Sequence, residues 1–384
     1  MSRWAAAIDF GTSKIAVVAG RLDERGTLAV TGAGQQCYAG FRDDEWLDVD
    51  GLEDAILSAR KAAERQAGRR IKDMFVAVPG EYVQSAFKRA EVEVRNRNRL
   101  VAREDIEELI EKSGDFEHPD GYIPLHRTPV AYIIENQPRY KPPVGERARY
   151  LSGYVSHVLA RQSFVEDVSD TLSSLGIGVS GMVAGPVGAG YIARMDNDAK
   201  RTAVVIDAGH FSTDIIVAEG DGLVFHENIP VGGSSITRDI SLLLNIPPEE
   251  AELMKRRLVL GVNRGDCLME RRLPGHDEFM NAQEIAEARV WDMAEQISGI
   301  LSETGISFDG QTGVYLTGGG LGLIRGAGSI LSATLGNIVK TYAHSSPMLG
   351  GPTYTTAAGT LFYALNVLQK GMVRDIIGWF KDLF

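Results

Sequence analysis

The feature that most constrains the fold of this chain is a short pattern that occurs twice, near residue 8 and again near residue 206. In each copy an apolar strand ends in an aspartate, which is followed by one residue, a glycine, a short turn and a second apolar strand. The copies read Ile8-Asp9-Phe10-Gly11-Thr12-Ser13-Lys14-Ile15 and Ile206-Asp207-Ala208-Gly209-His210-Phe211-Ser212-Thr213-Asp214-Ile215. Elsewhere, glycine-bounded strands alternate with helical stretches, which is typical of α/β layer folds. The sequence therefore predicts an α/β chain of two similar lobes.

The repeated turns are suited to binding phosphate. Successive backbone N–H groups and hydroxyls in such a turn can donate to phosphate oxygens, Gly11 permits a close backbone approach, and Lys14 adds positive charge. Asp9 and Asp207 end equivalent strands, so they are expected to face each other across a cleft. There they would suit a hydrated Mg²⁺ bound through water beside nucleotide phosphates. Taken alone, the first turn is equally compatible with an ordinary β-hairpin.

A third motif, Thr317-Gly318-Gly319-Gly320, follows the apolar strand Gly313–Leu316 and precedes a stretch of helical character. Its glycines would let the backbone lie flush against a purine or its α-phosphate. The three motifs, in this order and at these wide separations, resemble the phosphate-1, phosphate-2 and adenosine motifs of the actin, chaperone and sugar-kinase superfamily.

Within this superfamily the chain resembles the bacterial cell-division FtsA family over essentially its whole length. The resemblance rests on Ile8–Ile15, Ile229-Pro-Val-Gly-Gly233, Ala251-Glu-Leu-Met-Lys255, Leu316–Gly320 and Tyr354-Thr-Thr-Ala-Ala-Gly359. It implies an actin-like duplicated ATPase fold with an inserted FtsA-type subdomain and a C-terminal amphipathic helix. It also implies ATP and Mg²⁺ as ligands, self-association into filaments, and the C-terminal tail of the tubulin-like division protein FtsZ as a partner.

The resemblance also divides the chain into subdomains. Subdomain 1A comprises 1–80, 161–200 and a closing helix at 355–370; the inserted subdomain 1C is 81–160; subdomain 2A comprises 201–234 and 311–354; subdomain 2B is 235–310; and 371–384 is a membrane-targeting helix. The residues themselves set 81–160 apart, because this segment combines a charged helix at Ala102–Ser113, several prolines and a strand-like alternation at Tyr154–Leu159.

The resemblance extends the candidate nucleotide site beyond the three motifs. It places Gly232 and Gly233 near the phosphates, and Glu252 and Lys255 near the ribose and base. Without it, Glu252 and Lys255 read as a solvated ion pair sharing one helical face. The full set of expected nucleotide-binding residues is Asp9, Gly11, Thr12, Ser13, Lys14, Asp207, Gly209, His210, Ser212, Gly232, Gly233, Glu252, Lys255, Gly318, Gly319 and Gly320.

Two departures from the superfamily pattern predict weak or absent ATP hydrolysis. Many actin-fold ATPases have a glycine run after the second aspartate, whereas His210 and Phe211 occupy that loop here. The chaperones and the rod-shape actin MreB have a glutamate before a proline, where it helps to orient the attacking water. The corresponding residues of this chain are Gly185 and Pro186, which carry no carboxylate. We therefore assign no catalytic residue.

The last thirteen residues predict an amphipathic helix. Large apolar side chains recur at helical spacing on one face, with Arg374, Asp375, Lys381 and Asp382 opposite. The apolar set is Val373, Ile376, Ile377, Trp379, Phe380, Leu383 and Phe384. Such a stripe can dock on the protein's own core, but tryptophan at the polar border is typical of helices that lie in the bilayer interface. We expect a peripheral protein on the cytoplasmic face of the cell membrane, since neither a spanning segment nor a secretory signal is recognisable.

Charge and cysteine content narrow the remaining possibilities. A formal net charge of −11 argues against a protein whose main function is to bind nucleic acid, because such proteins present a basic surface to the phosphates. The two cysteines are far apart in sequence, which is compatible with a reducing compartment.

The family resemblance also implies a partner site. It places the FtsZ tail on subdomain 2B, where Arg289 could pair with a carboxylate of that tail. Two alternatives stay open: a scaffold similar to the pilus-assembly actin homologue PilM, and a small-molecule kinase of the sugar-kinase branch.

Overall fold

The first lobe is built on a five-stranded sheet. The computed structural model of the protein describes residues 4–42, 45–195, 202–261, 276–308 and 312–369.

The five strands of the first lobe lie in the order β11-β6-β1-β2-β3, and β1 pairs antiparallel with β2 and parallel with β6. The strands are β1 (Ala5–Phe10), β2 (Lys14–Leu22), β3 (Leu28–Cys37), β6 (Asp73–Val78) and β11 (Gly178–Ala184). A short pair, β4 (Phe41–Arg42) and β5 (Glu45–Trp46), lies beside it.

The second lobe repeats this topology. Its sheet has the order β14-β13-β12-β15-β16, with β12 antiparallel to β13 and parallel to β15. The strands are β12 (Thr202–Ala208), β13 (Thr213–Glu219), β14 (Gly222–Ile229), β15 (Thr312–Thr317) and β16 (Val339–Thr341). In both lobes the first strand is central, and the aspartate of the repeated motif lies near its carboxyl end. The predicted duplication is therefore confirmed in strand order and direction.

Helices cover both sheets, and their ends follow from local chemistry. They are α1 (Val49–Ala67), α3 (Gln162–Ser174), α4 (Gly185–Met195) and α9 (Thr355–Gln369) in the first lobe, and α5 (Gly233–Leu244), α6 (Pro248–Lys255), α7 (His276–Glu303) and α8 (Ala327–Leu335) in the second. The Asp48 carboxylate caps α1 by accepting from the N–H of Gly51, and Gly68 ends it with φ 61°. Pro248 starts α6 with two glutamates in its first turn.

The inserted subdomain carries a four-stranded sheet, of order β7-β10-β8-β9, covered by one helix. Its elements are β7 (Val83–Glu93), α2 (Arg103–Ser113), β8 (Tyr122–Ile134), β9 (Gln137–Arg139) and β10 (Tyr150–Arg161). The sequence indicated only the end of β10 and missed β8, because Pro124 and Pro129 lie within β8. Both sit beside register shifts in the β8–β10 ladder, where proline is tolerated.

Helices α4 and α9 pack unusually closely at the centre of the first lobe. A Cβ on Gly359 would lie 2.2 Å from the carbonyl oxygen of Gly188, and one on Gly188 would lie 2.6 Å from the backbone nitrogen of Thr360. The glycines of α4 therefore allow two backbones to touch, and this contact fixes the N-terminal ends of both helices at the cleft. The stretches Gly185–Ala193 of α4 and Ala357–Leu365 of α9 are fully buried.

The described helices contain none that is long and apolar enough to span a bilayer. The predicted membrane-targeting helix at 371–384 lies outside the described residues.

Candidate nucleotide and metal site

A cleft of about 550 Å³ opens between the two lobes. Fifteen of the sixteen residues predicted to bind nucleotide line it. The exception is Gly232, which packs behind the second turn, because a Cβ there would lie 2.6 Å from the carbonyl oxygen of His210. The cleft thus brings together three motifs that are far apart in sequence.

The two repeated turns have the same local geometry and touch each other. The N–H of Gly11 donates to the carbonyl of Lys14 at 3.0 Å, and the N–H of Gly209 donates to that of Ser212 at 2.8 Å. Across the cleft, the N–H of Phe211 donates to the Thr12 hydroxyl at 3.2 Å. The two lobes are therefore joined at the point where a phosphate chain would lie.

Asp9 and Asp207 lie half-buried beneath these turns. Burial and the nearby Asp207 raise the pKa of Asp9 to about 7, against the opposing effect of Lys14. Burial and Asp214 raise the pKa of Asp207 to about 6, although a hydrogen bond of 2.7 Å from the Thr356 hydroxyl counters this. Burial also lowers the pKa of Lys14, whose Nζ donates to the carbonyl of Thr353 at 3.1 Å. A bound cation would relieve the repulsion between these carboxylates.

The donors at this end of the cleft fit a hydrated cation. Within the described ranges, no group of three or more His, Cys, Asp or Glu side chains is placed to enclose a metal ion. Mg²⁺ commonly keeps several waters and binds through one or two carboxylates plus substrate phosphates. Asp9 and Asp207 would hold such an ion through water, and it would neutralise phosphate charge.

We expect Asp9→Asn to stabilise the nucleotide-free protein at alkaline pH. An unfolded aspartate has a pKa of about 3.9, so raising it in the folded state means that stability falls as pH rises from about 4 to about 7. Asparagine does not ionise and escapes this loss. In urea titrations the advantage of the variant should grow by on the order of 1 kcal/mol between pH 6 and pH 8. A constant difference, or the same trend in the exposed-site control Asp54→Asn, would contradict this.

The Glu252–Lys255 pair is largely buried, which corrects the plainer interpretation of a solvated pair. Lys255 is 6% exposed, and its Nζ donates to the carbonyl of Gly233 at 2.9 Å and to the Thr237 hydroxyl at 2.8 Å. Its Nζ also lies 2.6 Å from the Glu252 carboxylate. Burial opposes ionisation of Glu252, but hydrogen bonds from Lys255 and Thr237 lower its pKa to about 2. The pair ties α6 to the first turn of α5 at the wall of the cleft.

The glycines of the third motif lie against the second turn. The N–H of Gly320 donates to the carbonyl of Ala208 at 2.7 Å, and a Cβ on Gly320 would meet the Gly209 carbonyl at 2.0 Å. Gly318 has φ +84°. Irregular turns continue from Gly318 to Gly326, and α8 begins only at Ala327. The helical stretch expected after the glycines therefore starts later in the sequence than predicted. The motif thus closes one wall of the cleft with bare backbone.

Among the cleft residues that were not predicted, Asp214 and Thr356 make the polar contacts that matter most for the two aspartates, and both lie within the quoted motifs. Asp214 is opposite Asp207 in the β12–β13 register, and it is hydrogen-bonded to His226 at 2.9 Å and Asn228 at 2.8 Å. Thr356, at the start of α9, binds Asp207. Detecting them needed the pairing of β13 with β14 and the docking of α9, neither of which a local pattern reveals.

Gly185, which stands where the chaperones and MreB have a water-orienting glutamate, is closely surrounded by other residues. Gly185 lines the cleft at the start of α4, and a Cβ there would lie 3.0 Å from the Thr356 methyl and 3.1 Å from the carbonyl of Val78. A side chain at this position would require the Thr356 methyl and the Val78 carbonyl to shift by a few tenths of an ångström. The packing around Gly185 is therefore tight for any residue larger than glycine.

Two family models match the chain. Residues 204–359 match the model described as cell division protein FtsA, and residues 80–159 match the model of the SHS2 domain inserted in FtsA. Together these segments make up more than half of the sequence. The chain belongs to the FtsA family. Its SHS2 segment coincides with the four-stranded inserted sheet and α2.

Similar proteins agree with membership of the FtsA family. The cell division protein FtsA of Pseudomonas aeruginosa is 23% identical over an alignment that covers 97% of this chain and 91% of that protein. Among solved structures, a chain of the PilM–PilN type IV pilus biogenesis complex matches with a TM-score of 0.62 at 18% identity, covering 94% of this chain and 98% of its own. MreB5 of Spiroplasma citri bound to ADP matches with a TM-score of 0.51 at 13% identity, covering 97% and 98%. These structures establish an actin-like fold for this FtsA-family chain.

Arg289, predicted to bind a partner, lies on α7 and is engaged within the molecule. Its Nε donates to the Asp239 carboxylate of α5 at 2.5 Å, and its Nη1 lies 3.7 Å from Asp292. Its side chain is 29% exposed. A partner carboxylate at this position would share the guanidinium with Asp239.

Proposed function

We propose that this chain is an ATP-binding, polymerising actin homologue that anchors the FtsZ ring to the cytoplasmic membrane during bacterial cell division. The observation that carries the nucleotide part is the meeting of three glycine-containing motifs around one cleft, with Phe211 of one lobe donating to Thr12 of the other. The adaptor part rests on membership of the FtsA family. The membrane part rests on the apolar stripe at 373–384, which lies outside the described residues.

The proposed site assigns a task to each of its parts. The Gly11–Lys14 and Gly209–Ser212 turns bind the phosphates, and Asp9 and Asp207 hold hydrated Mg²⁺. The Glu252–Lys255 pair and the glycines at 318–320 bind the ribose and base. Backbone N–H groups and carboxylates of this kind are suited to a metal-bound polyphosphate. Support for a nucleotide also comes from the structurally similar MreB5, which was solved bound to ADP.

Gly319→Arg is expected to lower the affinity for Mg²⁺-ATP at least about 100-fold, or about 2.7 kcal/mol. Gly319 lines the cleft, has no positive φ, and has room for a Cβ. Among the described residues beyond its chain neighbours, the Thr353 methyl at 3.3 Å is the one contact within 4 Å. Arginine can therefore be accommodated by the backbone while its side chain fills the space meant for the nucleoside. Isothermal titration calorimetry with Mg²⁺-ATP measures the change, and Asp9→Ala should weaken binding independently.

The matched control for this experiment is Gly299→Arg. Gly299 lies exposed on α7, and apart from the local helix backbone no described residue has an atom within 4 Å of its added Cβ, so it tests the same substitution away from the cleft. It should bind ATP like the wild type. If Gly319→Arg and Asp9→Ala fold and retain full ATP affinity, the nucleotide site is wrongly placed.

ATP hydrolysis is expected to be slower than about one turnover per second, below the median of ordinary enzymes. The proposed reason is that α4 starts with glycine at 185, where no carboxylate orients water, and that His210 and Phe211 fill the second turn. Phosphate release should be measured with and without Mg²⁺ on the full chain. A faster rate that disappears in Gly319→Arg would disprove this expectation.

The proposed FtsZ contact lies on subdomain 2B around Arg289. The FtsZ tail would bring a carboxylate to the guanidinium that Asp239 already holds in place. A charge-reversing Arg289→Glu should then weaken binding of an FtsZ tail peptide and leave ATP binding unchanged. The alternative, a cytosolic scaffold similar to PilM, predicts that removing residues 373–384 leaves membrane association unaltered.

A further inference from the structure

The inserted subdomain has an end whose charge is opposite to that of the whole chain. We define the basic tip as residues 94–103 and 139–150. It contains eight cations, Arg95, Arg97, Arg99, Arg103, Arg139, Lys141, Arg147 and Arg149, and a single carboxylate, Glu146. The chain as a whole has 40 basic and 51 acidic residues. One fifth of its cations are thus gathered in 22 residues of an acidic protein.

Backbone hydrogen bonds hold the two segments of the basic tip together. The N–H of Ala148 donates to the carbonyl of Arg99 at 2.8 Å, and the N–H of Val94 donates to that of Arg149 at 3.0 Å. Leu100 and Arg147 form an isolated antiparallel bridge. The charges are therefore presented on a fixed framework rather than on independent loops.

Most of this charge is not neutralised by the protein itself. Arg99 and Arg139 pair with Glu93 and Glu146, and Arg95 lies 3.8 Å from Glu108 while remaining 74% exposed. Within the part of the chain that the structure describes, the other five cations have no carboxylate within ion-pairing distance. They are Arg97, Arg103, Lys141, Arg147 and Arg149, and all five are exposed.

Apolar side chains are interleaved with the cations. Leu100, Tyr140, Val144 and Tyr150 are each 40% or more exposed, and the Arg149 guanidinium lies over the Tyr150 ring at 5.2 Å. Tyrosine and arginine are the residue types enriched at the centres of protein interfaces. The basic tip therefore offers contact area in addition to charge.

We propose that the basic tip is a docking surface for an acidic, extended segment of a partner protein. Seven of the eight cations are arginine, whose planar guanidinium pairs with carboxylates in a bidentate manner. The two tyrosines and two aliphatic side chains would cover apolar residues of the same segment. A membrane is disfavoured as the occupant, because interfacial helices keep their cations and their large apolar side chains on opposite faces, whereas the described tip is not helical before Arg103, interleaves the two kinds of residue, and contains neither tryptophan nor phenylalanine.

The test uses the full chain and a defined probe, a fluorescein-labelled twelve-residue peptide that repeats Asp-Glu-Leu. Fluorescence anisotropy should detect binding that weakens as salt rises, and the Asn-Gln-Leu analogue should not bind. The double variant Arg97→Glu with Arg147→Glu should reduce affinity at least tenfold. The control, Arg25→Glu with Arg70→Glu, makes the same charge change at exposed sites of the first lobe and should stay within twofold of wild type.

Two milder variants keep the test informative if charge reversal perturbs folding. Arg97→Lys with Arg147→Lys preserves charge but removes the bidentate fork, and Tyr150→Ala removes contact area; each should cost a few-fold in affinity. The proposal is overturned if wild-type protein does not bind the peptide, or if tip and first-lobe variants lose binding equally. It is also overturned if tip variants reduce only co-sedimentation with phosphatidylglycerol vesicles, which would make the tip a lipid contact.

Discussion

Gly359→Val is expected to destabilise the protein by on the order of 3 kcal/mol or more, a large part of the usual 5–15 kcal/mol of a folded protein. The added Cβ would lie 2.2 Å from the carbonyl oxygen and 2.4 Å from the carbonyl carbon of Gly188. Both atoms are backbone of α4, so no side-chain rotation can relieve the contact, and α4 and α9 must separate. Urea denaturation followed by circular dichroism measures the loss.

Gly299→Val provides the matched control for Gly359→Val, because it places the same side chain in open space on α7. It should change the free energy of unfolding by less than about 0.5 kcal/mol, as surface substitutions usually do. Gly359→Ala adds the same Cβ without the two methyl groups of valine, so it should also be destabilised, though less than valine. We expect it to bind ATP more weakly as well, because the α9 end that carries Thr356 is displaced from Asp207. Gly359→Val with wild-type stability would show that the two helices are not in backbone contact.

The duplicated architecture was predictable because its signals are local. An apolar strand ending in aspartate, followed by a glycine turn, reports its own geometry, and the hydrogen bonds of Gly11 and Gly209 are made within four residues. Helix α9 was also predicted: the closing helix expected at 355–370 is observed over Thr355–Gln369. The same local signals were enough to assemble most of the cleft.

The remainder depends on contacts between distant segments. Strand β8 was missed because Pro124 and Pro129 disfavour a central strand, and the register shifts that accommodate them become visible only when β10 is aligned beside it. The burial of Lys255 could not be read from charge spacing, because it is produced by Gly233 and Thr237 of a different helix. Likewise, Gly188 and Gly359 have no sequence pattern that pairs them.

Trp379→Glu is expected to abolish membrane binding and leave ATP binding intact, if the proposed anchor is correct. This segment lies outside the described residues, so the expectation rests on the sequence. A large apolar side chain is worth roughly 1.5–3 kcal/mol when fully buried, and an interfacial helix buries it only partly. A charge on the apolar face adds a desolvation cost of comparable size. One copy of the anchor binds reversibly, so this loss should suffice.

The control for Trp379→Glu is Arg374→Ala, which lowers the net charge by the same single unit on the polar face. It should matter little, because Asp375 and Asp382 already offset Arg374 and Lys381. Co-sedimentation with vesicles of varied phosphatidylglycerol content, alongside ATP titration, measures both properties. A helix docked on the protein's own core predicts the opposite: no lipid binding by the wild type and a lower melting temperature for Trp379→Glu. Binding that vanishes at moderate salt would identify charge as the dominant force, since salt does not screen apolar insertion.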